Sequence, residues 1–145
     1  MGVRFSQKEG LKVKLHRSGE DYLKTILILR KQNGVVRSAD VASHLKISKA
    51  SVSRAMKLLR EGGFLTMEEH KQLHLTELGA SVAEEIFDRH RILNELLLSI
   101  GVPAAVAEQD ACRMEHLISK ETLERVKTLR SQLGGALSLM PPSGE

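Results

Sequence analysis

Residues 38–63 read SADVASHLKISKASVSRAMKLLREGG, and the reading of this stretch decides the fold. Ser38 is a good N-cap, and Ala39 to Leu45 follow as a short helix packing Val41, Ala42 and Leu45. Ile47-Ser48 makes the turn. The spacing then predicts a helix over Lys49 to Glu61, with Val52, Ala55, Met56 and Leu59 at i, i+3, i+4 and i+7 on one face. The other face carries Lys49, Ser51, Ser53, Arg54 and Lys57, and Gly62-Gly63 stops the helix. Two short helices, a tight turn and an outer face of Ser, Lys and Arg describe a helix-turn-helix.

The flanking sequence extends that motif. Phe64 to Met67 and Leu73 to Thr76 are strand-like runs around the polar loop Glu68 to Gln72, so a β-hairpin wing follows the helices. Lys and Arg neutralise phosphates and read guanine edges, and short hydroxyls fit close to a groove floor. The candidate DNA contacts are therefore Ser38, Ser48, Lys49, Ser51, Ser53, Arg54 and Lys57, with Lys71 in the wing. Double-stranded operator DNA is the expected partner. Ahead of the motif, Ser18 and Asp21 resemble a capping box, and Tyr22, Leu23, Ile26, Leu27 and Leu29 recur at helical spacing. That helix is expected from about Glu20 to Lys31, stopped at Asn33-Gly34. Residues 1–17 carry Arg4, Lys8, Lys12, Lys14, His16 and Arg17 against Glu9 alone, a basic arm.

Behind the wing, Thr76 caps a long helix, about Glu77 to Ile100, ended by Gly101. Its apolar stripe of Ala83, Ile86, Phe87, Leu93 and Leu97 includes His90. A histidine so placed is ordinarily a satisfied core residue. A fifth helix, Ala104 to Leu117, lies beside an apolar face of Ala107, Ala111, Met114 and Ile118, and Ser119 caps a sixth, Glu121 to about Leu133, stopped by Gly134-Gly135. Three such helices bury little alone, so their apolar faces are expected to form a twofold dimer interface. Within them, residues 110–119 read DACRMEHLIS. On a helix, Cys112, Glu115 and His116 fall at i, i+3 and i+4, on one arc. Thiolate, carboxylate and imidazole are ligands of first-row divalent metals.

Composition narrows the class. The 145 residues are 41% apolar and 28% charged, ordinary for one domain or two small ones. A net charge of +4 permits polyanion binding. One cysteine excludes an intrachain disulfide and suits a reducing compartment, and no apolar run reaches a membrane span, so a cytoplasmic protein without membrane contact is expected. Four aromatics, Phe5, Tyr22, Phe64 and Phe87, argue against stacking on single strands.

With these motifs in hand, the sequence from Glu20 to Leu133 resembles the diphtheria toxin repressor and manganese transport regulator family of metal-activated repressors. EDYLKTILIL resembles its first helix, residues 38–65 its helix-turn-helix, LTELGASVAEEIFDRHRIL its wing exit and linking helix, and ACRMEHLIS its metal segment. The resemblance implies a mainly α protein: a basic arm (1–19), a winged helix-turn-helix domain (20–76), an all-α metal-binding and dimerisation domain (77–134) and a tail (135–145), with no SH3-like third domain. It implies a primary metal site of Asp21, Cys112, Glu115 and His116 and a second, neighbouring site at His90, for which Glu108, one turn before Cys112, is a further candidate. Asp21 matches the manganese-type members and Cys112 the iron-type members, a hybrid set. Lys24 stands where manganese-type members offer a Glu ligand, and Asn94 and Glu108 where iron-type members offer Glu and His. Fe(II) is the first expectation and Mn(II) the second, with Zn(II), Co(II) and Ni(II) binding in vitro. The expected function is metal-dependent repression of metal-uptake genes by a homodimer on palindromic DNA. Neither an enzyme nor a small-molecule substrate is expected. Two rivals are a metal-independent winged-helix regulator using Cys112 as a redox or ligand sensor, and a small metallohydrolase, for which no second acid or base stands at motif spacing.

Overall fold

The computed structural model of the chain describes residues 17–137, and side chains over 17–132. Most of the expected arm and all but the start of the tail lie outside the described residues. The chain divides into two compact units, one up to Glu85 and one from Ile86, so the division falls inside the longest helix.

The first unit holds α1 (Arg17–Asn33), α2 (Ser38–Leu45), α3 (Lys49–Glu61), β1 (Leu65–Met67), β2 (Leu73–Leu75) and the start of α4 (Glu77–Ser99). α1 starts ahead of Ser18, so Ser18 lies inside the first turn instead of capping it. Its Leu23, Ile26, Leu27 and Leu29 are buried, as are Val41 and Ala42 of α2 and Val52, Met56 and Leu59 of α3. Burying each of these side chains other than Ala42 contributes about 1.5–3 kcal/mol. Gly34, at φ +80°, ends α1 in the left-handed region that favours glycine, and its N–H returns to the Arg30 carbonyl at 2.8 Å. α2 is capped by a carboxylate: the Arg37 N–H donates to Asp40 Oδ2 at 2.8 Å, where Ser38 was expected to cap. Ser48 caps α3 by accepting from the Ser51 N–H at 3.1 Å.

The wing pairs β1 and β2 antiparallel in the register Leu65↔Leu75, Thr66↔His74 and Met67↔Leu73. Both strands are one residue shorter than expected. Arg37 adds a bridge to Gln72, and the Leu73 N–H donates to the Val36 carbonyl at 2.7 Å, so the chain before α2 lies along β2. The join to α4 is tight. Thr76 accepts from the Gly79 N–H at 3.1 Å through its hydroxyl oxygen, and that hydroxyl donates to the Gly63 carbonyl at 2.6 Å. A Cβ on Gly79 would lie 1.8 Å from the Phe64 carbonyl oxygen, so only glycine fits.

The second unit holds the rest of α4, α5 (Ala104–Met114) and α6 (Lys120–Leu137). Gly101 (φ +95°) and Pro103 separate α4 from α5. α5 ends three residues before the expected Leu117. The Leu117 and Ile118 N–H groups both donate to the Met114 carbonyl at 3.0 Å, which tightens the chain into a turn. Met114, expected on the apolar face, is exposed, whereas Ala107 and Ala111 are buried. Ser119 caps α6 as expected, accepting from the Thr122 N–H at 3.1 Å. α6 runs through Gly134-Gly135, where a stop was expected. Glycine costs a helix about 1 kcal/mol relative to alanine, which weakens it without barring it.

Candidate metal centre and nucleic-acid interface

In the second unit, α4 presents His90 and α5 presents Glu108 and Cys112, which stand four residues apart on one face. Glu115, the C-cap of α5, continues that face one turn on. Ligand atoms of His90, Glu108 and Cys112 lie within 4.8 Å of one another. The two nitrogens of His90 reach Glu115 Oε2 (Nδ1, 2.9 Å) and Glu108 Oε2 (Nε2, 2.9 Å). The other Glu115 oxygen lies 3.2 Å from His116 Nε2, and the Glu115 side chain is fully buried. One buried carboxylate thus stands between two imidazoles.

The hydrogen bond to Cys112, then that to Glu115, and more weakly that to Glu108 with the nearby negative charge of Glu115, push His90 up to about 10, against burial, which pulls it down. At neutral pH His90 is an imidazolium that donates from both nitrogens. It supplies the positive charge that a buried carboxylate requires. The donor set of imidazole, thiolate and carboxylates fits a first-row divalent ion, which prefers mixed N, O and S ligands of borderline softness.

The sequence reading separated Cys112 from His90 and Glu108. The geometry puts these three together and makes Glu115 the residue shared with His116. Asp21 stands half-exposed on α1 of the first unit. Glu115 and His116 follow the last residue of α5, so their place depends on the turn at 115–118 as well as on the helix ladder.

In the first unit, Lys49, Ser51, Ser53, Arg54 and Lys57 are all exposed on α3, as is Lys71 in the wing. The Ser48 hydroxyl is committed to its cap and donates to Ser51 Oγ at 2.8 Å. Ser38 is half-buried. α2, α3 and the wing enclose an open basic cleft lined by Arg37, Ser38, Lys49, Ser53, Lys57, Arg60, His70 and Lys71. Arg37, Arg60 and His70 escaped the sequence reading. Arg60 was within reach of it, because Ser53, Lys57 and Arg60 recur at i, i+4 and i+7 on one helix face. Arg37 was not, because its place rests on a backbone contact: its Nε donates to the His70 carbonyl at 3.0 Å across the wing. His70 and Lys71 both have φ +61°, which turns the wing tip sharply.

Family models match nearly the whole of this architecture. The N-terminal DNA binding domain of the iron dependent repressors matches residues 14–73, and their metal binding and dimerisation domain matches residues 76–133. The transcriptional regulator MntR of Salmonella typhimurium is 35% identical over 115 residues, 79% of this chain and 73% of that protein. A helix-turn-helix transcriptional regulator of Methanocaldococcus jannaschii is 32% identical over 78% of this chain and 92% of its own. Among solved structures, a manganese-dependent transcriptional repressor in complex with manganese matches with TM-score 0.70 and 25% identity, over 80% of this chain and 52% of that one. The IdeR of T. acidophilum matches with TM-score 0.67 and 26% identity, over 80% and 54%. This chain spans about half the length of those solved structures. No helix among the described residues is long and apolar enough to cross a membrane. The two matched domains and the MntR likeness place the chain in the iron-dependent repressor family of metal-dependent transcriptional regulators.

Proposed function

We propose that the chain is a repressor of metal-uptake genes that binds palindromic duplex DNA as a cytoplasmic homodimer when Fe(II) or Mn(II) is bound. The observation that carries this reading is the buried Glu115 carboxylate held between His90 and His116, with Glu108 and Cys112 beside it. Cys112, Glu115 and His116 are the primary ligands, with His90 and Glu108 adjoining them. Asp21 joins the primary set on the family resemblance. When bound, a divalent ion supplies the charge that the His90 imidazolium otherwise supplies. An ion that binds the DNA-competent arrangement more tightly shifts the population toward it, by no more than the difference in its affinity for the two.

Cys112 favours Fe(II), and the carboxylates keep Mn(II) second. The relatives include a repressor solved with manganese and ScaR solved with Zn2+, and Zn(II), Co(II) and Ni(II) should bind this chain in vitro. Exposed Leu98, Ile100, Val106 and Leu129 in the second unit support a homodimer. On the DNA side, Lys49, Ser51, Ser53, Arg54 and Lys57 of α3 face the groove, Lys71 reaches from the wing, and Ser38 and Ser48 border the helix ends. Anaerobic calorimetric titration of the full chain with Fe(II) and with Mn(II) tests the metal reading. Saturable binding lost in His116→Ala is expected, and binding unchanged by that substitution would overturn it.

A further inference from the structure

Glu115 and His116 sit where α5 ends: the Glu115 N–H still donates to the Ala111 carbonyl at 3.0 Å, and it is the carbonyl side of the turn that needs support from elsewhere. α5 ends at Met114, and residues 115–117 form a turn closed by the paired N–H donations to the Met114 carbonyl. The last carbonyls of a helix lack ladder partners, and cations are favoured beside them. Arg89, on α4, answers both needs. Its NH1 donates to the Ile118 carbonyl at 2.8 Å and reaches the Glu115 carbonyl at 3.4 Å.

The next residue, His90, holds the Glu115 side chain through Nδ1 at 2.9 Å. Two consecutive residues of α4 therefore grip Glu115 from opposite ends, Arg89 by its main chain and His90 by its carboxylate. A contact to Ile118 on the far side of His116 fixes both ends of the segment that carries these two side chains. We infer that Arg89 is a positioning residue of the metal centre: it binds no ion itself and sets the place of Glu115 and His116 through their backbone. This rests on the metal reading of the same cluster. Both contacts come from one nitrogen, so what a lysine would lose is reach: it keeps the charge and the donors on a side chain one atom shorter.

The test compares Mn(II) and Co(II) affinity of the full-length chain with that of Arg89→Met, Arg89→Lys and, as a control for the lost charge, Arg91→Met. Among the described residues, Arg91 pairs with Asp88 and Glu95 of its own helix. Arg89→Met is expected to weaken both ions about 10–100-fold, the range for residues that orient ligands, with Arg89→Lys intermediate and Arg91→Met unchanged. The visible spectrum of bound Co(II) should broaden or shift in Arg89→Met, which a mere loss of stability would not cause. Should Arg89→Met fail to fold, Arg89→Lys carries the test alone. Affinities in the folded Arg89 variants within about twofold of the unmutated chain, or an equal loss in Arg91→Met, would overturn the positioning role and leave the metal reading intact. An unmutated chain that takes up neither ion would overturn the metal reading, and this inference with it.

Discussion

Glu115 concentrates the chemistry of the second unit, because a fully buried carboxylate stays charged only when its neighbours supply positive charge or protons. Removing that charge at constant shape, Glu115→Gln, should abolish most metal affinity while the metal-free chain keeps its helical content, measured by calorimetry and circular dichroism. His90 adds a pH dependence. It is pushed up to about 10, and its proton must leave before the ring can bind a cation. Metal uptake should therefore weaken as pH falls and strengthen as pH rises toward that value. Titrations at pH 7 in buffers of different ionisation enthalpy should show release of about one proton per chain attributable to His90, and its loss in His90→Gln. At this scale the sequence was informative where the cluster is built from side chains with metal-ligand chemistry. Cys112, Glu115 and His116 were legible from helical spacing, and His90 as a polar residue in an apolar stripe. Glu108 came in only as a neighbour of Cys112, one turn before it, since an exposed glutamate on a helix carries no signal of its own. Arg89 was not legible at all, because its acceptors are carbonyl oxygens, which every residue has.

The elements follow the sequence closely where apolar periodicity and caps agree, as in α3, and drift where one signal is missing. α5 stops at Met114 because its C-terminal turn tightens, although the apolar spacing continues to Ile118. α6 crosses two glycines because a weak stop is not a barrier. The strand–helix join at Gly79 gives a sharp prediction. Gly79→Ala puts a Cβ 1.8 Å from the Phe64 carbonyl oxygen, so backbone must move, and the first unit should lose about 1–3 kcal/mol of stability in thermal or urea unfolding. On α3, Arg54→Ala and Lys57→Ala should weaken operator binding while metal binding is unchanged. A lost base contact costs about 1–3 kcal/mol, and a lost phosphate contact lowers the salt slope by about one. Operator titrations at several salt concentrations distinguish the two, and unchanged affinity in both variants would move the reading surface off α3.

For the whole molecule, the proposed function requires that DNA binding and metal binding be coupled through the ion. Sequence reading reached this organisation because the helix-turn-helix, the wing and the DACRMEHLIS segment each carry a local pattern, and their order along the chain matches the family. The most direct test is operator binding by the full-length chain under anaerobic conditions, measured metal-free, with Fe(II), with Mn(II), and after added chelator. Weak binding is expected without metal, at least about tenfold tighter binding with either ion, equivalent to about 1.4 kcal/mol, and return to the weak state with chelator. Operator affinity that ignores both ions and chelator would contradict that coupling, and loss of that binding on oxidation would assign control to the Cys112 thiol instead.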